Sequence, residues 1–170
     1  MRIFQKNIAL FLTALLLLSL ILAACSKRES YSDSIPCEEL MDAVTEQLPI
    51  NFGYESFDGE HLRYYFDDTK LPDDTCLRYS VLSEDINEIG IFHTPDEQSA
   101  KQIETLCKKY LQALIDEKST FIASYAAEEL PKLEGGEVRR FGNYTVYAIL
   151  SEDDRTLAFE TIQKKLTEVS

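Results

Sequence analysis

Leu77-Arg78-Tyr79-Ser80-Val81-Leu82-Ser83, then Glu88-Ile89-Gly90-Ile91-Phe92-His93, then Thr94-Pro95-Asp96-Glu97: this stretch decides the fold. The first two runs are short and rich in aliphatic and aromatic residues, with a polar Glu84-Asp85-Ile86-Asn87 between them. That pattern predicts a β-hairpin. The third run predicts a helix start, with Thr94 as cap, Pro95 in the first turn and Glu97 closing a capping box. Behind it Ala100, Ile103, Cys107, Tyr110, Leu111 and Leu114 recur at helical spacing, and the helix is expected to stop near Lys118. The hairpin-then-helix pattern returns at the C-terminal end. Val138 to Phe141 and Tyr144 to Leu150 flank Gly142-Asn143, and Ser151 with Asp154 caps a helix whose stripe is Ala158, Ile162 and Leu166. Tyr144, Val146, Ala148 and Leu150 point one way and Tyr147 and Ile149 the other. A strand apolar on both faces belongs in the middle of a sheet.

Between the two units, Phe121 to Leu133 reads as a shorter helical piece broken near Pro131, followed by a turn at Glu134-Gly135-Gly136. Upstream, Ser34 and Pro36 open a helix carrying Cys37, Leu40, Val44 and Leu48, which Pro49 ends. The stretch from Asn51 to Thr75 admits two readings: a short helix from Gly59 to Tyr65 capped by Asp58, or a strand from the alternation Leu62, Tyr64, Phe66. The expected architecture is a single small α+β domain. Its antiparallel sheet has about four strands, supplied by two hairpins that could be paired halves, and helices cover at least one face.

The N-terminus carries a different message. Arg2 and Lys6 precede an almost wholly apolar run from Ile8 to Leu22, interrupted only by Thr13 and Ser19. This is the charged and apolar pair of regions that makes a secretory signal. Leu22-Ala23-Ala24-Cys25 follows and resembles a bacterial lipobox, in which the cysteine thiol is diacylglycerylated before cleavage. The alternative is an uncleaved anchor, since Ile8 to Ala24 is just long enough to span about 30 Å of hydrocarbon. Either way the basic end stays inside and the rest lies outside. The expected organisation is a signal peptide at 1–24, a serine-bearing flexible tether at 25–34 and the α+β domain at 35–170. The protein is then held at the extracytoplasmic face of the cell membrane by the lipid on Cys25.

The whole chain holds 17 basic and 30 acidic residues. Without Arg2 and Lys6 of the leader, 15 basic face 30 acidic, a formal charge of −15. Nucleic acid and anionic head groups are poor partners for such a surface, and cationic ligands or basic protein patches are better ones. With Cys25 lipidated, Cys37, Cys76 and Cys107 remain. Cys107 falls on an apolar helix face and reads as a small core residue. Cys37 and Cys76 are either bridged or free.

Motifs for chemistry are scarce. Histidine occurs only as His61 and His93. Asp58, Glu60 and His61 could offer a metal oxygen and nitrogen donors, but no zinc-type spacing accompanies them, and a solvated helix face is the simpler reading. Asp67, Asp68, Asp73 and Asp74 lack the spacing of a calcium loop and read as acidic loop residues. His93 reads as structural. There is no nucleophile elbow, no phosphate-binding glycine loop, and no basis for choosing any pair of carboxylates among so many. Neither a cofactor nor a metal site is expected. Asn143-Tyr144-Thr145 matches a glycosylation sequon by composition alone. The best candidate site is aromatic: Phe52, Tyr54, Phe57, Tyr64, Tyr65 and Phe66 lie close together beside acidic loops. If exposed, Tyr54, Phe57, Tyr64 and Tyr65 would suit a sugar face or a cationic group. If buried, they fill the core beneath an irregular segment.

Several segments together carry a resemblance. Asn87-Glu88-Ile89-Gly90-Ile91-Phe92, the Pro-Asp-Glu helix start, Tyr125 to Leu133 with Glu129-Leu130-Pro131-Lys132, and Gly142-Asn143-Tyr144-Thr145-Val146-Tyr147 occur in order behind a lipobox and before a closing amphipathic helix. The chain from 35 to 168 resembles the clostridial lipoproteins that carry the domain of unknown function numbered 4358. The resemblance implies a surface lipoprotein of a Gram-positive anaerobe and implies no activity and no catalytic residues. A reducing habitat also disfavours a disulfide. The expected function is a non-enzymatic binding or interaction module at the cell surface, membrane-bound through Cys25, with an envelope protein as partner and no nucleic acid. The alternative is a small-solute or wall-fragment binder using the aromatics of 52–66, and a less favoured one is an envelope enzyme of unrecognised type.

Overall fold

The computed structural model describes residues 30–50, 52–54, 71–80 and 85–168. Their order is α1 (Cys37–Thr45), β1 (Phe52–Tyr54), β2 (Thr75–Ser80), β3 (Glu88–His93), α2 (Glu97–Tyr125), a 3-10 turn (Ala127–Glu129), α3 (Leu130–Glu134), β4 (Glu137–Phe141), β5 (Tyr144–Ile149) and α4 (Glu152–Glu168). The strands form one antiparallel sheet in the order β1-β2-β3-β5-β4. The architecture is the α+β domain expected from the two hairpins. They meet as β3 against β5 in the middle, with β2 and β4 outside them. A three-residue edge strand, β1, adds to β2 and was not foreseen, because three residues are too few to show a period of two. The alternative readings of Gly59 to Tyr65 lie outside the described residues.

Both faces are covered, which meets the expectation of at least one. On the first face α1 and α4 pack Leu40, Met41, Val44, Ala158, Phe159 and Ile162 onto Ile89, Ile91, Val146 and Ala148. On the second, α2 and α3 pack Ile103, Cys107, Tyr110, Leu111 and Leu133 onto Phe92, Tyr147 and Ile149. The two-faced division of β5 holds residue for residue, and every residue of that strand is buried. Gly90 faces Tyr147 across the β3–β5 ladder. A Cβ on Gly90 would lie 2.3 Å from the Tyr147 ring, so glycine there makes room for an aromatic ring at the centre of the sheet. Gly142 turns the second hairpin with φ +60°, a conformation that a residue without Cβ adopts freely.

Four helix boundaries differ from the sequence reading. The cap of α2 is Asp96, whose Oδ1 accepts from the Ser99 amide at 2.8 Å. The Thr94 hydroxyl instead donates to the carbonyl of Asn143 at 3.0 Å, because the neighbouring hairpin turn offers it a half-buried acceptor. The helix does not stop at Lys118 but continues through Ser119 and Thr120 to Tyr125. Ser124 satisfies the Thr120 carbonyl at 2.9 Å, so its hydroxyl does not interrupt the ladder. Pro131 lies in the first turn of α3 and starts that helix instead of breaking the previous one. Helix α1 ends at Thr45, short of Pro49, and Leu48 is buried in the turn beyond it. The capping pair of α4 is as expected: the Asp154 amide donates to Ser151 Oγ at 3.2 Å.

Among the described residues no helix is long and apolar enough to cross a membrane. The leader 1–24 and Cys25 lie outside the described residues. Part of the expected tether does not: from Tyr31 the chain already lies on the domain. The Tyr31 ring meets Phe141 edge-on at 5.8 Å, and the Ser32 amide donates to the Leu166 carbonyl at 2.8 Å.

Candidate functional site

Strand direction sorts the polar residues into two poles. At one, β3 and β4 end, β2 and β5 begin, α2 starts and the chain enters at Tyr31. Here His93 Nδ1 lies 3.2 Å from Asp74 Oδ2 and Nε2 lies 2.9 Å from Asp33 Oδ1. The ring stacks on Tyr144 with centroids 4.3 Å apart. Asp74 also accepts from the Cys37 amide at 3.0 Å, and thereby caps α1 from a distant loop. Asp33 accepts from Asn143 Nδ2 at 3.1 Å. The Tyr144 hydroxyl donates to the Ile35 carbonyl at 2.8 Å and accepts from the Ile35 amide at 3.1 Å. These groups satisfy one another, and their arrangement fastens residues 33–37 to the sheet. The structural reading of His93 stands, and Asp74 is a cap rather than loose loop chemistry.

The thiols are equally structural. Cys37, Cys76 and Cys107 are free and buried, so of the two readings for Cys37 and Cys76 the unbridged one holds. Burial, then hydrogen bonding to Glu38, pushes the Cys76 thiol up to about 12. Burial, then the Asp74 charge, pushes Cys37 far above its ordinary value. Thiols held protonated in this way are poor nucleophiles. Arg78, itself buried, pairs with Glu38 and donates to Cys76 Sγ at 3.1 Å.

The opposite pole is built differently. The second half of α2 runs past the sheet end and roofs a cavity of about 390 Å³. Leu114, Ile122, Leu133 and Ile149 line it together with Ile86 and Tyr79, its polar lining includes Asp85, Asn87, Glu88 and Lys118, and Phe121 borders it as well. Phe121 is 61 % exposed and Tyr125 79 %, with their rings 4.7 Å apart. Such a pair on the surface of a small domain is unusual for residues that gain most from burial. Glu88 Oε1 accepts from the hydroxyls of Tyr110, at 2.7 Å, and Tyr147. Burial, then the Glu88 charge, raises Tyr147 well above its ordinary range, which keeps it a donor. Asn87 is held by its backbone: its amide donates to Asp85 Oδ1 at 2.9 Å and its carbonyl accepts from Ser80 at 2.8 Å. Its side-chain Oδ1 is buried without a hydrogen-bond partner. At the rim, Lys132 lies 2.8 Å from Glu129 and 3.5 Å from Asp85. Burial alone would raise Asp85, but the Asn87 amide, Lys132 and the Ser80 hydroxyl outweigh it and hold its carboxyl below the ordinary value.

The side chains of the sequence-derived candidates Tyr54, Phe57, Tyr64 and Tyr65 lie outside the described residues, as do Asp58, Glu60, His61, Asp67 and Asp68. Of Tyr54 only the backbone is described, paired with Arg78. Among the described residues no group of three or more histidine, cysteine, aspartate or glutamate side chains is arranged to hold a metal. Sequence reasoning did not single out Asn87, Glu88 or Phe121. Asn87 reads as an ordinary turn residue, and nothing in its neighbours announces an unpaired oxygen.

A small α+β domain with a roofed apolar cavity is thus the class to which the chain belongs. Its family follows: the chain belongs to the domain of unknown function DUF4358, whose family model matches residues 47–150. That span holds the sheet, α2, α3 and every residue of the cavity, while α1 and α4, which close the other face, flank it. Comparison with curated proteins and with solved structures gave no match.

Proposed function

We propose that this protein is a lipoprotein of the clostridial type carrying this domain. In this reading it is exported, lipidated on Cys25, and held at the extracytoplasmic face of the membrane as a non-enzymatic binding module. The leader with Arg2, Lys6, the apolar run and Leu22-Ala23-Ala24-Cys25 supports the export and anchoring. One observation supports the binding role above the others: the apolar cavity and its exposed aromatic edge lie at the pole opposite Tyr31, where the chain enters the domain. A tether at one end then presents the cavity outward. Helix α2, 29 residues and about 43 Å long, separates the two ends. The polar groups of the attachment pole are spent on each other, which supports a role without catalysis.

The test is made in intact cells, with fatty-acid labelling and a photo-reactive residue placed at Phe121 or, as control, at Lys101. The reading expects a label lost in Cys25→Ser, and an adduct at position 121 that is absent at 101. A labelled Cys25→Ser protein would overturn the anchor. Equal adducts at both positions, or none at 121, would overturn the binding face.

A further inference from the structure

His93 stands where the entering chain meets the sheet, with a carboxylate on each side of its ring. Nε2 lies 2.9 Å from Asp33 Oδ1 and Nδ1 lies 3.2 Å from Asp74 Oδ2. An ionised carboxylate only accepts hydrogen bonds, so both ring nitrogens can donate at once only in the imidazolium. The neutral ring keeps one hydrogen and turns a lone pair toward one of the two carboxylates. Asp74 has a second hold in either state, because it caps α1 through the Cys37 amide at 3.0 Å. Asp33 is held from the domain side by His93 and by Asn143 Nδ2 at 3.1 Å. The same segment is pinned by the Tyr31 ring on Phe141 and by the Ser32 amide, which donates to the Leu166 carbonyl at 2.8 Å. The titratable groups around the ring are Asp33 of the entering chain, Asp73 and Asp74 of the loop before β2, the Cys37 thiol of α1 and Tyr144 of β5. Helix α2 contributes the uncharged Ser99 and Gln102 to the neighbouring groove, and no lysine or arginine among the described residues lines it. Burial keeps Cys37 and Tyr144 protonated well beyond neutral pH. The His93 side chain is 21 % exposed, so solvent protons reach it. Histidine is the side chain whose charge ordinarily changes between about pH 5 and pH 8.

We propose that His93 is a pH-dependent latch on the entering chain: its charged form clasps Asp33 to Asp74 and fastens residues 31–34, and its neutral form loosens them. The fastened state binds the extra proton, so fastening strengthens as pH falls and weakens as pH rises through the histidine range. Residues 31–34, once released, add about 13 Å of extended chain between the domain and whatever precedes it. In the lipoprotein reading, on which this consequence rests, acid draws the domain toward the membrane and higher pH lets it out. The latch itself needs no anchor.

The test is amide exchange on the full-length protein in lipid nanodiscs. The Ser32 amide reads the latch, and the Arg155 amide, which donates to Ser151 at the start of α4, is the control. Protection factors, which remove the intrinsic effect of pH on exchange, are compared at about pH 5.5 and about pH 8. Protection of Ser32 should fall about fivefold at the higher pH, the size of a charge-assisted hydrogen bond discounted for exposure, while Arg155 stays constant. In Asp33→Asn the side-chain amide can accept from the charged ring and donate to the neutral one, so Ser32 should be protected alike at both pH values. If that variant does not fold, the two amides of the native protein decide alone. A change under about twofold at Ser32, an equal change at Arg155, or an undiminished change in Asp33→Asn would overturn the latch. Failure of the anchor shows in the fatty-acid label and leaves these readings as they are.

Discussion

The two poles of the sheet are made of similar residues and behave in opposite ways. At the attachment pole Asp33, Asp74, His93, Asn143 and Tyr144 form a connected set of hydrogen bonds that also takes in the backbone of Ile35 and Cys37. At the cavity pole Asn87 keeps a buried oxygen without a donor, and two aromatic rings stand in solvent. An aspartate–histidine–aspartate row looks more like chemistry than a lone asparagine does. Yet the first is used up in fastening the chain, and the second carries unspent interaction. Polar richness alone is a poor guide to a site; an unbalanced account of donors and acceptors is a better one.

The difference is broken most completely by alkaline pH. Cys76 titrates near 12 in the folded chain against an ordinary 9.0, and Cys37, Tyr144 and Tyr147 are raised as well. Above pH 9 the unfolded state therefore releases protons that the folded state keeps, so it binds fewer of them and stability falls as pH rises. The stabilisation is fully present below about pH 9 and lost progressively toward pH 12 and beyond. Urea melts between pH 8 and 11 should show a declining midpoint, with a shallower decline in Cys76→Ala; a flat profile would contradict the protonated, buried thiols.

Gly90→Ala attacks the frame from which both poles hang. The new Cβ lies 2.3 Å from the ring of a fully buried Tyr147, which has no space to retreat. A loss of about 3 kcal/mol is expected, at the upper end for overpacking. A chemical melt checks it, and a loss under 1 kcal/mol would mean that the central β3–β5 packing is looser than this geometry.

Asp74→Ala separates the poles. It removes the cap on the Cys37 amide and one partner of His93, so about 2 kcal/mol should be lost. Hydrogen exchange should quicken in α1 and in residues 33–37 and stay unchanged around Asn87. Uniform quickening would show that the poles are not independent.

What could be read from the chain follows the range of the interactions. The hairpin–helix repeat, the central place of β5, the stripe of α2 and the Ser151 cap are set by neighbours a few residues apart, and periodicity reveals them. The cap at Asp96 was missed because Thr94 prefers an acceptor in the turn at Asn143, 49 residues away. The roles of Asp74 and His93 depend on meetings with Cys37 and Asp33, 37 and 60 residues away. The cavity was illegible for a stricter reason. It exists because α2 overruns the expected stop at Lys118, and the unpaired oxygen of Asn87 is defined by what does not approach it. The aromatic cluster at 52–66 stands out by composition, whereas Phe121 and Tyr125 fall in a stretch that reads only as a shorter helical piece, with nothing local to show that their rings stay exposed.

Asn87→Leu tests the account at the cavity pole with a smaller effect of opposite sign. Replacing an unpaired buried carbonyl by methyl groups removes a desolvation cost, so stability should stay level or rise by up to about 1 kcal/mol. Thermal melts check it. A loss above 1 kcal/mol would mean that the Asn87 side chain does structural work after all.

The smallest effect is the most telling. Phe121→Ala and Tyr125→Ala remove large rings, and in a core each would cost about 3–5 kcal/mol. Here both rings are mostly in water and touch chiefly each other. Truncation should therefore change stability by no more than about 0.5 kcal/mol. Phe121 borders the cavity and Tyr125 stacks on it, so the pair is the natural place to test the proposed binding face. If melts of the two variants matched the native protein while the adduct at position 121 was lost in Tyr125→Ala, the rings would belong to the binding face. If instead the variants lost 2 kcal/mol or more, the second half of α2 would be packed in solution, and the contrast between the poles would close.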